Sequence, residues 1–160
     1  MAELPAIRRL DGVEALRIHE TLQAHAAQYL ASGGVANPYA FALWAVHEGV
    51  WFLELPEGVV MLTDYRPGHS ARIHPVAWGK KLVCDSTYTS SVLRHLVIQC
   101  KIIRIDALIP STEHESVERW ARRCGFQYEG TLRSALARDG KFIDGKLYAR
   151  IGDYDGNCDI

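Results

Sequence analysis

Residues 111–150 read STEHESVERWARRCGFQYEGTLRSALARDGKFIDGKLYAR, and this stretch decides the fold. Thr112 and Glu115 are spaced as in a capping box, which predicts a helix that begins here. One apolar stripe then follows the helical period: Val117, Trp120, Ala121 and Cys124. Gly125 stands where the end of a helix favours a left-handed residue. The first part of the stretch is therefore predicted to be an amphipathic helix with a defined end.

A hairpin is predicted after this helix. Phe126 opens an extended segment, and Asp139-Gly140 is a dipeptide that favours a tight hairpin turn. The return strand starts at Lys141 and continues to Arg150. The unit is therefore expected to be helix, strand, turn and strand.

Two segments of this unit carry a family resemblance: CGFQYEGTLR (124–133) and ARDGKFIDGKLYARI (137–151). Together they resemble the C-terminal part of the GNAT acetyltransferase superfamily, in the branch that includes ribosomal-protein N-terminal acetyltransferases. The resemblance implies an α/β fold with a central mixed sheet of about six to seven strands flanked by helices. It also implies acetyl-CoA as cosubstrate and acyl transfer to an amine.

The composition fits one domain that spans residues 1–160. Apolar residues make up 48% of the 160 positions and charged residues 23%, as in ordinary globular proteins. The formal net charge of −1 provides no general attraction to nucleic acid or to an acidic membrane. No apolar run approaches the ~18 residues of a membrane span, and the N-terminal segment lacks a signal core. We therefore expect a cytoplasmic protein.

The cysteines and histidines do not predict a metal centre. Four cysteines without C-x-x-C spacing are expected to be reduced thiols: Cys84, Cys100, Cys124 and Cys158. The seven histidines show no paired ligand spacing with cysteine or carboxylate. No metal is therefore expected.

The rest of the chain predicts strands and helices in mixed order. A short strand is expected at 5–10, followed by a helix that Asp11 caps and Ser32-Gly33-Gly34 ends. The apolar face of that helix consists of Ala15, Ile18, Leu22, Ala26 and Tyr29. Asn37-Pro38 starts a second helix. Further strands are expected at 50–55, 59–64, 70–78 and 102–109, and a helix at 85–100, an order that predicts parallel pairing in the middle of the sheet.

The segment 76–87, VAWGKKLVCDST, corresponds to the glycine-rich loop that binds the diphosphate of coenzyme A in the resembled family. Such loops work because glycines let backbone N–H groups approach phosphate at a helix N-terminus. The candidate cofactor-binding residues are Val76, Trp78, Gly79, Lys80, Lys81, Ser86 and Thr87. The loop has one glycine where the family has two or more and an arginine or glutamine. The alternatives are a solvated turn, and a helix cap at Asp85 that competes with an anion for the same N–H groups.

His114 and Trp120 stand at two further positions where the resemblance implies a role. His114 replaces an asparagine that often helps to orient the cofactor, and its alternative is an exposed histidine in the first turn of a helix. Family members often carry a tyrosine on this helix as general acid for the leaving thiolate. Trp120-Ala121 occupies that region instead, so the sequence assigns no residue to this role.

His74 is the candidate catalytic base. Strand alternation puts Arg72, His74 and Val76 on one face. A histidine has an unperturbed pKa near neutrality, which suits a base that activates an amine. The alternative is a structural hydrogen bond. Pro75 indicates a bulge or an edge, as in the splayed strand through which the family admits its cofactor.

Two functions are compatible with these patterns. The first is an acyl-CoA-dependent N-acetyltransferase that acts on a small-molecule or protein amine. The second is a non-catalytic GNAT-like module with a binding or structural role, as a homo-oligomer or in a larger assembly. In the second case Trp44, Trp51 and Trp78 would be candidate interface anchors.

Overall fold

A computed structural model describes residues 4–32, 37–47 and 49–152. The helices are α1 Gly12–Ser32, α2 Pro38–Ala45, α3 Lys81–Cys84, α4 Ser86–Cys100 and α5 Glu115–Arg123. The strands are β1 Trp51–Leu55, β2 Gly58–Arg66, β3 Ser70–Ala77, β4 Arg104–Pro110, β5 Gln127–Arg138 and β6 Lys141–Ile151. The predicted elements from residue 37 onward are confirmed within a few residues, and α3 is an addition.

The strands form one six-stranded sheet in the order β1-β2-β3-β4-β6-β5. Only β3 and β4 are parallel, and the other neighbours are antiparallel. The parallel pair in the middle was predicted from the strand–helix–strand order, and the mixed sheet was implied by the family resemblance.

The two faces of the sheet carry separate cores. On one face, α4 and α5 cover a cluster that includes Ile73, Leu96, Ile105, Ala121 and Tyr148. On the other, α1 and α2 cover a cluster that includes Ile18, Leu22, Phe41, Met61 and Val76. Because Ile73 and Val76 belong to different clusters, β3 sends its alternate side chains to opposite faces, as predicted.

Polar side chains fix the starts of the first two helices. Asp11 and Glu14 form a reciprocal capping box: the N–H of Glu14 donates to Asp11 Oδ1 at 2.8 Å, and the N–H of Asp11 donates to Glu14 Oε2 at 3.1 Å. Asn37 Oδ1 accepts from the N–H of Tyr39 at 2.9 Å. Both predicted caps are confirmed. The predicted helix end at Gly33-Gly34 and the Tyr29 side chain lie outside the described residues.

Two local predictions were wrong. Residues 5–10 form no strand, since their only ladder contact among the described residues is a single bridge between Arg8 and Phe52. The cap of α5 is His114 rather than Thr112: its Nδ1 accepts from the N–H of Ser116 at 3.2 Å. The helix starts later than expected because the chain first makes a turn, in which the N–H of Glu113 donates to Pro110 O at 3.0 Å.

The C-terminal unit follows the prediction closely. Gly125 has φ +83°, and the hairpin turn has φ 51° at Asp139 and 72° at Gly140, all in the left-handed region. Asp144 supports the hairpin, because its Oδ1 accepts from the N–H of Ser134 at 2.9 Å where the pairing is bulged.

The described cysteines are unpaired thiols. Cys84 is exposed, whereas Cys100 and Cys124 are buried, and Cys158 lies outside the described residues. Burial raises the pKa of Cys100 to about 11, which keeps it protonated. Within residues 4–32, 37–47 and 49–152, no cluster of metal-ligating side chains occurs and no helix is long and apolar enough to cross a membrane.

Candidate active site

A wedge opens in the middle of the sheet. The last paired residues of the parallel strands are Arg72 and Asp106. Beyond them, β3 continues along β2 to Ala77, and β4 continues along β6 to Pro110. Pro75 pairs with Val60 of β2 but lies beyond the last β3–β4 pair, where its missing N–H costs no hydrogen bond to β4. The predicted splay of this strand is therefore present.

Backbone alternation shows which groups face the wedge. His69 O accepts from the N–H of Arg104 at 3.0 Å on the β4 side, and the N–H of Trp78 donates to Glu57 O at 3.0 Å on the β2 side. Since successive residues of a strand direct their N–H and C=O groups to opposite neighbours, Pro75 and Ala77 face the wedge. Pro75 offers a carbonyl only, so Ala77 supplies the wedge with an N–H donor. Ala77 was not among the candidate residues predicted from the sequence, although counting alternate residues from Pro75 would have found it.

Val76 and Trp78 are placed differently from the rest of the candidate loop. Val76 pairs with Val59 of β2, its side chain is buried under α1 and α2, and alternation turns its backbone away from the wedge. Trp78 packs on the same core and stacks on His25 at a ring separation of 5.2 Å. These two residues shape the wall of the sheet beside the wedge.

The loop after β3 has many of its amides bonded internally. The N–H of Gly79 donates to Glu57 O at 3.1 Å, and the N–H of Lys81 donates to Glu57 Oε2 at 3.0 Å. Cys84 N–H donates to Lys80 O at 2.8 Å, which closes the short helix α3. In the described part of the chain, the N–H groups of Lys80, Leu82, Ser86 and Thr87 have no hydrogen-bond partner.

The cap of α4 leaves two amides at its start unbonded within the described residues. Asp85 Oδ1 accepts from the N–H of Tyr88 at 3.0 Å, as the predicted cap would. This bond satisfies the third amide of the helix and leaves those of Ser86 and Thr87 exposed at its N-terminus. Lys80 is exposed at the start of α3, and Lys81 Nζ lies 4.5 Å from the centre of the Tyr88 ring.

α5 and its cap lie at the same end of the wedge. The loops after parallel strands emerge at the same edge of the sheet, so 78–87 and 111–114 are neighbours. Trp120 Nε1 donates to Leu82 O at 3.2 Å, which joins α5 to α3. His114 is exposed, and its cap bond uses Nδ1 as acceptor, so the proton of the neutral ring is on Nε2.

His74 projects from β3 towards the α1–α2 face. Its Nε2 lies 2.9 Å from Thr63 Oγ1, and Arg72 beside it forms an ion pair with Asp64 at 3.1 Å. Burial, and to a smaller extent the charge of Arg72, lowers the pKa of His74 to about 4, and Asp64 opposes the shift. His74 is therefore neutral at pH 7. The neutral ring can accept a proton, but it is a weak base.

Solved structures of known proteins share the architecture of this chain. No family model matches the chain, and no curated protein matches it. Among solved structures, the chain is similar to the ribosomal L7/L12 alpha-N-protein acetyltransferase RimL in complex with coenzyme A, with a TM-score of 0.69, 19% identity, and coverage of 93% of this chain and 94% of that chain. A GNAT-family acetyltransferase from Bacillus anthracis has a TM-score of 0.64, 16% identity, and coverage of 93% and 96%. This chain has the GNAT fold.

A third structure with this fold belongs to a self-immunity enzyme. The microcin C7 self-immunity acetyltransferase MccE, in complex with acetyl-CoA and AMP, has a TM-score of 0.66 and 15% identity and covers 91% of each chain. The α/β fold with a mixed sheet that was predicted from the sequence is confirmed by the observed sheet and by these structures.

Proposed function

We propose that this chain is an acyl-CoA-dependent N-acetyltransferase that transfers an acetyl group from acetyl-CoA to an amine of a small molecule or a protein. The observation that carries the proposal is the wedge: β3 and β4 part after Arg72 and Asp106, and strand alternation turns the Ala77 N–H towards it. Solved structures with this fold include complexes of RimL with coenzyme A and of MccE with acetyl-CoA.

The residues at the open end of the wedge fit an anionic cofactor. The unpaired amides of Ser86 and Thr87 at the start of α4 suit a phosphate, and Lys80 adds a positive charge. His114 contributes an Nε2–H donor from the neighbouring loop. Acetyl-CoA, when bound, would supply an activated thioester for acyl transfer.

Residues of the chain itself can polarise the acyl carbonyl and accept the proton of the amine. The Ala77 N–H polarises the acyl carbonyl, which is the role of an oxyanion-type donor. His74 is the candidate proton acceptor and stands on the α1–α2 side, from which we propose that the amine enters. Because its pKa is about 4, His74 is a weak base, so ionisation of the amine itself dominates the pH dependence above pH 5. Trp120 Nε1 is bonded to Leu82 O and supplies no acid.

The three tryptophans that would anchor a non-catalytic module pack against the cores of the fold. Trp44 and Trp78 pack on the α1–α2 core, and Trp51 packs on the opposite core with its ring 5.5 Å from that of Tyr65. A cytoplasmic location stays a proposal, supported by the unpaired thiols of the described cysteines.

Thiol release tests the proposal. The chain is incubated with acetyl-CoA and a panel of amines that contains small polyamines, amino acids and peptides with free N-termini. Release of coenzyme A that depends on both protein and amine supports the proposal. No release with any member of the panel, together with acetyl-CoA binding weaker than millimolar, would favour the non-catalytic module.

A further inference from the structure

The turn between β1 and β2 reaches into the loop that follows β3. Glu57, in this turn, accepts hydrogen bonds from three loop amides. Its carbonyl oxygen accepts from Trp78 at 3.0 Å and from Gly79 at 3.1 Å, and its carboxylate Oε2 accepts from Lys81 at 3.0 Å. The loop is therefore held by one acidic residue from elsewhere in the chain.

The single glycine of the loop makes this contact sterically feasible. A Cβ at Gly79 would collide with the side chain of Glu57, including its carboxylate. Any other residue at position 79 would push the carboxylate out. The glycine thus admits an anion to the loop, and in the free chain that anion belongs to the protein.

The Glu57 carboxylate on the Lys81 amide opposes the binding of a second anion at that amide. The Glu57 carboxylate lies on the backbone amide of Lys81, one residue from Lys80, to which the proposed function assigns a phosphate of acetyl-CoA. The Glu57 side chain is exposed on a two-residue turn, so it can rotate into solvent without disturbing the core. The backbone contacts of its carbonyl are independent of that rotation.

We propose that Glu57 is an internal, displaceable anion of the cofactor loop: it holds the loop in the free protein, competes with the diphosphate, and swings out when acetyl-CoA binds. This inference rests on the proposed function. Glu57 then lowers the affinity for acetyl-CoA by competing with its diphosphate. The binding of a thioester that lacks a diphosphate is unaffected.

Isothermal titration of matched variants tests the inference. Glu57→Gln removes the charge but keeps an acceptor for the Lys81 amide, so the loop contact survives. Glu20→Gln removes the same charge from an exposed position on α1 and serves as control. The ligands are acetyl-CoA and S-acetylpantetheine, which lacks the diphosphate. A thermal melt of each variant establishes that it is folded.

We expect Glu57→Gln to bind acetyl-CoA roughly tenfold more tightly than the wild type, because a like charge at hydrogen-bond range is removed from a partly screened site. Glu20→Gln should bind like the wild type. Binding of S-acetylpantetheine should change by less than about twofold in either variant, and the acetyl-CoA effect should shrink at about 1 M salt.

The outcomes separate the two proposals. Equal or weaker binding of acetyl-CoA by Glu57→Gln overturns the role of Glu57 and leaves the proposed function standing. An equal gain for S-acetylpantetheine also overturns it, since the conflict would not be with the diphosphate. Failure of all three proteins to bind acetyl-CoA at millimolar concentration contradicts the proposed function itself.

Discussion

The partly buried position of His74 should make the stability of the fold depend on pH in a specific window. The pKa of this ring falls from 6.5 to about 4 on folding, mainly because burial disfavours the imidazolium. Between these values the unfolded chain binds a proton that the folded chain does not. Stability is therefore fully present above about pH 6.5 and is lost as the pH falls towards 4.

The size of the effect follows from linkage. For a pKa of 6.5 in the unfolded chain and about 4 in the fold, the His74 contribution drops by about 2 kcal/mol between pH 7 and pH 5. His74→Gln places an uncharged amide near the Thr63 hydroxyl and cannot titrate. We expect this variant to lose about 2 kcal/mol less than the wild type over the same interval.

Urea denaturation at pH 7 and pH 5 measures this difference directly. His47→Gln, at an exposed position, is the matched control and should follow the wild type. If His74→Gln loses as much free energy of unfolding as the wild type between the two pH values, the ring is not held neutral. The account of its weak basicity would then be wrong.

Two local devices give further predictions. Asp85→Ala removes the side-chain cap on the Tyr88 amide and should cost about 1 kcal/mol, seen as a fall in melting temperature of roughly 2–4 °C. An unchanged melting temperature would show that water replaces the cap. Gly125→Ala forces a side chain into φ +83° and should cost about 1–2 kcal/mol in urea unfolding, whereas Gly12→Ala, with open space around it, should cost little. Equal losses for the two alanine variants would contradict the backbone argument.

Local patterns predicted much of the fold. Asp139-Gly140 and Gly125 specify their own backbone geometry, so the turn and the helix end could be read from the sequence alone. Pro75 predicted the splay of β3, because a proline is tolerated where the strand makes no ladder hydrogen bond at that N–H. The cap of α5 was misplaced since Thr112 and His114 are both polar candidates, and the turn after Pro110 decides between them.

The candidate site was less predictable because it depends on contacts between distant segments. Glu57 and Lys81 are 24 residues apart, and no sequence pattern at either position predicts their hydrogen bond. The low pKa of His74 likewise depends on burial and on the pairing of β2 with β3. The sequence therefore singled out the loop and the histidine as candidates, and the structure was needed to show what surrounds them.

Hydrogen exchange at Ala77 tests the central claim, that the wedge admits acetyl-CoA. In the free chain the Ala77 amide faces the wedge beyond the last β3–β4 pair, and we expect it to exchange quickly. Saturating acetyl-CoA should slow its exchange by about tenfold or more, while the neighbouring Val76 amide, paired with β2, should exchange slowly in both states. Unchanged exchange at Ala77 with acetyl-CoA bound would place the ligand elsewhere and contradict the account.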